Sequence, residues 1–311
     1  MAKYNTLPRT IGRAILYLIL AGGALLAMTP FFWMISTSLM TLGETINRAW
    51  VPDVPQWINY VDAWDQANFS RYFWNSVVIT SISLAGLMVT SVLAGYAFAS
   101  IKFPAKNIIF AIILATMMVP ESVTVLPSLL LIRGSIIPLP GVDIRAFDAC
   151  IAEGGKVLSC QLQNLTMGAS WLNTLQALTL PFMANAFSIF MLRQFFAQTP
   201  KELWDAARID GAGHFRFLFQ IVLPISKAPI MTVLLFGFIS SWNAFMWPLL
   251  VTTRDVKRPI MVGLWNFVTE AGPQTHLLMA GAVITLIPIV IVYFITQKQF
   301  TEGIATTGLK G

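Results

Sequence analysis

Apolar residues in this chain come in long, nearly unbroken runs, with polar residues gathered between them. Six runs, near residues 14–39, 73–101, 107–132, 169–197, 226–250 and 276–297, are each long enough to cross a bilayer as a helix. None shows the strict alternation of a barrel strand. Lipid cannot satisfy free backbone groups, so each run is expected to be helical. The pattern predicts an all-α integral membrane protein with six transmembrane helices. Pro120 and Pro127 interrupt the third run, Pro181 the fourth, and Pro229 and Pro248 mark the ends of the fifth.

The first run has a basic lead-in and an AGGALLA stretch similar to a signal-peptide cleavage site. Its apolar character continues through MTPFFWMISTSL, well beyond a secretory h-region, so it is expected to be an uncleaved span. The segment near 40–71 carries VPDVPQW, whose prolines exclude a regular helix there. It also carries Trp50, Trp57 and Trp64, residues suited to a water–lipid interface or a protein contact. The short KFPAK turn at 102–106 makes the second and third spans antiparallel neighbours.

Charge changes the picture by orienting the chain. With the N-terminus inside, the inside segments collect twelve basic residues against four acidic ones, and the outside segments eight against nine. That asymmetry predicts both termini and residues 198–225 in the cytoplasm and 133–168 outside. The net charge of +6 then reflects topology and contact with anionic lipid, not nucleic-acid binding. Cys150 and Cys160 share the external segment 133–168. An oxidising exterior permits a disulfide between them, the alternative being two unpaired thiols. Their spacing does not match a CxxC metal or redox motif, and no metal site is expected.

The inside segment 198–225 differs in kind from the other connections. TPKE at 199–202 reads as a helix start, with Thr199 as cap, Pro200 in the first turn and Glu202 reaching back. Leu203, Ala206 and Ala207 favour helix, and Gly211 ends it. A short helix over 200–210 is expected, followed by a second over about 214–222 that leads through Pro224 to the fifth span. Leu203, Ala206 and Asp210 share one helical face, where small residues admit a partner closely.

This segment resembles the signature loop of permease subunits of binding-protein-dependent ABC importers. The family pattern is Glu-Ala-Ala, three residues, Gly, nine residues, then Ile-x-Leu-Pro. Here it reads Asp205-Ala206-Ala207, three residues, Gly211, nine residues, then Ile221-Val222-Leu223-Pro224. Asp205 departs from the usual Glu, keeping its charge on a shorter arm. ELWDAARIDGA at 202–212, SSWNAFMWPLLVT at 240–252 and the tail GIATTGLKG at 303–311 resemble the carbohydrate branch, the smaller six-span permease of maltose-type transporters. The resemblance implies a type I importer permease fold in a bacterial or archaeal cytoplasmic membrane. It implies a second permease subunit, two cytoplasmic ATPase subunits and an external solute-binding protein as partners. It also implies coupling to the ATPases through Glu202, Leu203, Asp205, Ala206, Ala207, Asp210, Gly211, Ala212 and Pro224. ATP and Mg would bind the ATPase subunits, and this chain would carry no cofactor.

Other classes are weaker. No Walker A, HExxH or GxSxG motif is present, so the chain is not expected to be an enzyme. A secondary transporter working without ATP is the alternative. That class tends to carry several buried charges, and here Glu121 is the one acid well inside a run. Glu121 lines the pathway, pairs across subunits, or packs at a helix break. Ser240, Ser241, Trp242 and Asn243 in the fifth run are candidates to face the pathway, since Trp stacks on sugar rings and Asn bonds hydroxyls. Their alternative is contact between helices. The expected organisation is 1–70 (lead-in, first span and external loop), 71–297 (core permease) and 298–311 (cytoplasmic tail).

Overall fold

The computed structural model describes residues 9–133, 171–269 and 272–308, with residues 9, 10 and 299–308 described by backbone alone. Cys150, Cys160 and nearly all of the expected external segment lie outside the described residues. The helices are α1 (Arg9–Ser38), α2 (Leu42–Ile46), α3 (Ile58–Gln66), α4 (Phe69–Ser100), α5 (Lys106–Thr116), α6 (Glu121–Ile132), α7 (Leu175–Thr179) and α8 (Ala186–Phe196). They continue with α9 (Lys201–Ile209), α10 (His214–Phe217), α11 (Leu223–Ile225), α12 (Lys227–Trp242), α13 (Met246–Val251), α14 (Ile260–Gly263) and α15 (Thr275–Gly308). Among the described residues four segments are long and apolar enough to cross a membrane, Ile11–Ser38, Phe69–Ser100, Leu175–Phe196 and Thr275–Lys298, and six if the bent pairs Lys106–Thr116 with Glu121–Ile132 and His214–Ile225 with Lys227–Trp242 each count as one span.

The third and fifth runs are broken at points the prolines only partly marked. The third is two helices, α5 and α6, bent by 99°. Pro120 caps α6 with an extended backbone (φ −62°, ψ 139°), and a residue before proline avoids the helical region, so the helix cannot continue through Val119. In the fifth run α12 stops at Trp242, and α13 begins only at Met246. The fourth run is interrupted too. A 3₁₀ turn at Leu180–Phe182 holds Pro181, and α8 restarts at an Asn185 cap whose side chain accepts from the Ser188 N–H.

The chain groups into two compact units, residues 1–69 with 264–287 and residues 70–263 with 288–311. Within the first unit Phe267 packs edge-on against Phe69 at 6.3 Å. In the first unit, the loop after α1 is strapped back onto the helix end. Ser36 Oγ donates to the Trp50 carbonyl (2.6 Å), and the Gln56 N–H donates to the Leu39 carbonyl (2.8 Å). Asn59 Nδ2 donates to the carbonyls of Ser38 and Met40. A capping box starts α2: Glu44 N–H bonds Thr41 Oγ1, and the Glu44 carboxylate accepts from the Thr41 N–H at 2.7 Å. The Thr41 and Asp53 backbone N–H groups and the Thr41 hydroxyl hold the Glu44 carboxyl below the usual carboxylate range. The box therefore contributes fully above that range, and its contribution is lost as pH falls below the range, through the lowered pKa of Glu44.

In the second unit, α4 organises both ends. Near its start, Asn75 Nδ2 donates to the carbonyls of Val256 and Arg258, and Ser76 Oγ accepts from the Ile260 N–H. Ile79 joins a core with Ala177, Leu178, Trp247 and Val251. Near its end, Phe98 packs with Phe110 of α5 and Ile189 of α8. The chain then turns through Ala105, in the left-handed region at φ 58°, and Lys106 Nζ donates to the Ala99 and Ile101 carbonyls that close α4.

Candidate coupling site

The segment from Lys201 to Ile225 is three short helical pieces closed by specific backbone chemistry. α9 begins one residue later than the cap read from sequence. Pro200 is the N-cap (φ −56°, ψ 137°) with no side-chain cap bond, so the box expected between Thr199 and Glu202 is not formed. An extended proline moves the first helical residue to Lys201, out of register for Thr199. The C-terminal end carries more order. Asp210 is the C-cap and Gly211 has φ +74°, the left-handed region that favours glycine. The Gly211 N–H donates to Arg208 and the Ala212 N–H to Ala207 at 2.8 Å. That pair of bonds is a Schellman motif, which satisfies carbonyls a helix end would otherwise leave open.

α10 then starts at His214 and passes into a π-helical turn, Leu218–Val222, before α11. Pro224 explains the turn. Proline has no N–H and crowds the carbonyl four residues back, and widening to π spacing relieves that clash. The helix runs on through Pro224 to Ile225 rather than ending before it, and bends by 83° into α12.

The inner face of α9 is fixed by aromatic packing. The Trp204 ring stacks on His214 at 4.4 Å with planes 16° apart, and meets Phe217 edge-on at 5.0 Å. Tyr96 of α4 hydrogen-bonds His214 Nδ1 at 2.9 Å. Ala207, Phe217, Leu218 and Val222 are buried together with Val92 and Tyr96 of α4, Leu192 and Phe196 of α8 and Val233 of α12. Gly95 sets the base of this cluster. A Cβ there would lie 3.0 Å from Leu192 Cβ and 3.3 Å from the Arg193 nitrogen, so its absence lets α4 and α8 cross closely. The segment is thus joined by side chains to three membrane helices.

The outer face is open. Glu202, Asp205, Ala206 and Ile209 lie along it and are exposed, with Leu203 and Asp210 at its edge. Ile209 is 87% exposed and Phe215 of α10 72%. Two apolar side chains so exposed beside acids make a surface with the character of an interface. Of the residues the family pattern implied, Ala207 is buried against the chain's own helices and Ala212 is half-buried, so these two hold the segment in place. Pro224 is exposed at the bend. Among the described residues no group of three His, Cys, Asp or Glu side chains is placed to hold a metal ion.

The candidate pathway residues scatter. Trp242 is 2% exposed, stacked on Phe238 at 5.6 Å and edge-on to Phe73 at 5.7 Å, so its ring is not open to a sugar. Ser241 is half-buried, and its hydroxyl bonds Thr80 of α4 at 3.3 Å. Ser240 and the C-cap Asn243 are exposed, as is Glu121 in the first turn of α6, where a helix N-terminus favours an acid. Sequence reasoning missed Tyr96, Trp204, His214, Phe217 and Ile209. Trp204 was readable as the inner partner of Ala207 three residues on. Tyr96 lies 118 residues from His214, and no local signal joins them.

Comparison with known proteins fits this arrangement. The chain is 31% identical over 310 residues to the sn-glycerol-3-phosphate transport system permease protein UgpE of Agrobacterium fabrum, covering 96% of this chain and 98% of that one. It is 30% identical over 297 residues to a putative ABC transporter permease protein of a Caldicellulosiruptor strain, covering 95% and 96%. Its fold is similar to that of a bacterial ABC transporter that imports the acidic polysaccharide alginate, with a TM-score of 0.70 at 20% identity over 96% of this chain and 100% of that one. A second alginate transporter structure, in complex with its pentasaccharide-bound periplasmic protein, matches with a TM-score of 0.60 at 10% identity, over 93% of this chain and 94% of that one. Residues 89–305 match the family described as the inner membrane component of binding-protein-dependent transport systems, and the chain belongs to that family.

Proposed function

We propose that this permease works in an ATP-driven importer of a sugar or a sugar-like solute, glycerol phosphate included, and that residues 200–224 couple it to ATP hydrolysis in separate subunits. In this reading a second permease completes the pathway. Two cytoplasmic ATPase subunits bind ATP and Mg and hydrolyse the ATP, and an external binding protein delivers the solute. Both termini and the coupling segment lie in the cytoplasm.

The observation that carries the reading is the two-sidedness of α9. Its inner face is joined through Trp204, His214 and Tyr96 to α4, and its outer face presents Glu202, Asp205, Ala206 and Ile209. A push on the outer face reaches the membrane helices because the Schellman closure leaves no slack between α9 and α10. ATP can bias the membrane helices only if its subunits contact this surface differently in their open and closed states. The substrate class is supported by relatives named for glycerol phosphate transport and by a fold like that of an alginate importer. Against transport without ATP stands a relative named as an ABC transporter permease.

The test is a complex purified on a tag carried by this chain and reconstituted in liposomes with its binding protein. Uptake is measured for labelled monosaccharide, disaccharide, oligosaccharide and glycerol phosphate, with and without ATP. Uptake that needs ATP and one of these solutes is the expected result. Equal uptake without ATP overturns the coupling, and uptake of none of the four overturns the substrate class.

A further inference from the structure

The segment from α2 into α3 exposes apolar side chains that no part of the coupling mechanism uses. Ile46, Trp50, Val51, Val54, Trp57 and Val61 are all more than half exposed, with Trp57 at 69% and Val54 at 65%. They sit within sixteen residues of sequence. Such a set, next to a polar core of hydrogen bonds, needs a partner.

The straps on this loop say where that partner is. Arg13 and Trp33 of α1 are twenty residues apart, about 30 Å at 1.5 Å per residue, which is about the thickness of the hydrocarbon core. An Arg at one end and a Trp at the other are the residues that mark the two boundaries of a span. Ser36, whose hydroxyl holds the Trp50 carbonyl at 2.6 Å, is three residues beyond Trp33, or about 4.5 Å further along the helix. Gln56 N–H is held by Leu39, and Asn59 by Ser38 and Met40. The backbones of residues 50 and 56 and the side chain of Asn59 are therefore pinned at the level where α1 leaves the hydrocarbon. Trp50 and Trp57 cannot swing far into water, and α1 itself presents exposed Phe31, Phe32 and Ile35 just below them. The apolar surface of the loop continues the surface of the span.

We infer that residues 46–61 form an interfacial anchor that lies in the headgroup layer of the outer leaflet, with Trp50, Val54 and Trp57 in contact with lipid. The occupant is the bilayer surface, because Trp has an apolar ring with a polar N–H and settles where one side is apolar and the other wet. The Thr41–Glu44 box and its bond to the Asp53 N–H hold the loop in this shape, so the anchor is pre-formed. It would fix the tilt and depth of α1.

The experiment is spin-label depth measurement on the full chain with its partner subunits, reconstituted in phosphatidylcholine vesicles. Nitroxides are placed through Trp57→Cys and Val54→Cys in a Cys150→Ser, Cys160→Ser background. Leu25→Cys, in the exposed middle of α1, marks lipid, and Lys257→Cys, in an exposed turn, marks water. Collision with oxygen is compared with collision with a water-soluble nickel chelate. Expected at 54 and 57 is an oxygen-to-nickel ratio several-fold above that at 257 and below that at 25. A ratio equal to that at 257 overturns the anchor. So does exclusion of both reagents, which means that a protein surface, another subunit or residues 134–170, covers the patch.

Discussion

The candidate coupling segment and the end of the fifth span both carry polar residues among apolar ones, and the structure builds them differently. At 205–224 a fixed interval of Asp-Ala-Ala, Gly and Leu-Pro maps onto a helix, a left-handed turn at Gly211 and a π turn before Pro224. At 240–243 the same reasoning rested on composition, and there Trp242 is buried and Ser241 is bonded to Thr80. Spacing constrains backbone geometry, and geometry constrains role. Composition leaves open which way a side chain faces. In a membrane helix that question is hard to read, since lipid, pathway and protein faces all accept Ser, Trp and Asn.

The sharpest test of the first region is Gly211→Leu. Nothing lies within 4 Å of the position a Cβ would take, so the chain has room for a side chain. The cost comes from φ +74°, about 1 kcal/mol or more for a residue other than glycine, and from a bulky group projecting beside the outer face. Assembly should persist while uptake falls to background and solute-stimulated ATP hydrolysis is lost. Gly211→Asn, which tolerates the left-handed region, should retain most of the activity. Equal uptake by Gly211→Leu and the parent would break the coupling assignment.

Much of the fold was legible because hydrophobic length is a strong signal. The breaks were less so. Pro120 was visible, but whether a proline kinks a helix or divides it by 99° depends on what can bond the freed backbone groups, and that is tertiary information. The contact of Phe267 with Phe69 was not visible at all, since nearly two hundred residues separate them. At the candidate coupling site the motif marked Asp205 and Ala206, which are exposed, but gave no sign that Ile209 is exposed or Ala207 buried. The inner face was not legible, because Tyr96, Trp204 and His214 meet only in the folded chain.

Trp242→Ala sharpens the other side of the comparison. A buried Trp replaced by Ala costs about 3–5 kcal/mol. The expected result is a marked drop in the thermal stability of the purified complex, with the solute KM of the surviving fraction unchanged. A raised KM at unchanged stability would return Trp242 to the pathway. Trp204→Ala should cost less, about 2 kcal/mol, because the ring is only half-buried. It should also lower uptake more than ATP hydrolysis, since it loosens the link between α9 and α4. Trp204→Phe, which keeps an aromatic ring against His214, should recover part of that ratio.

Tyr96→Phe removes one hydroxyl and leaves the ring in its cluster. A typical hydrogen bond contributes about 1 kcal/mol net. If the Tyr96–His214 bond carries motion, solute moved per ATP should fall while the complex melts within a few degrees of the parent. A double cycle with His214→Ala should show that the two changes are not additive. Additive losses would mean that the two residues act separately and that the inner face is held by packing alone.

The smallest effect should come from Ser241→Ala, and it decides what the fifth span is for. The Ser241 hydroxyl meets Thr80 Oγ1 at 3.3 Å, a bond between two membrane helices. Such bonds average about 0.6 kcal/mol, because the separated helices also find partners for their hydroxyls. Alanine fits the same space, so no cavity opens. Thermal stability should fall slightly, and uptake, KM and ATP hydrolysis should match the parent. If KM instead rises several-fold while the melting temperature is unchanged, Ser241 touches solute during transport and its bond to Thr80 belongs to one state of the cycle. The end of α12 would then be part of the pathway, and its difference from the coupling segment would be one of conformational state and not of role.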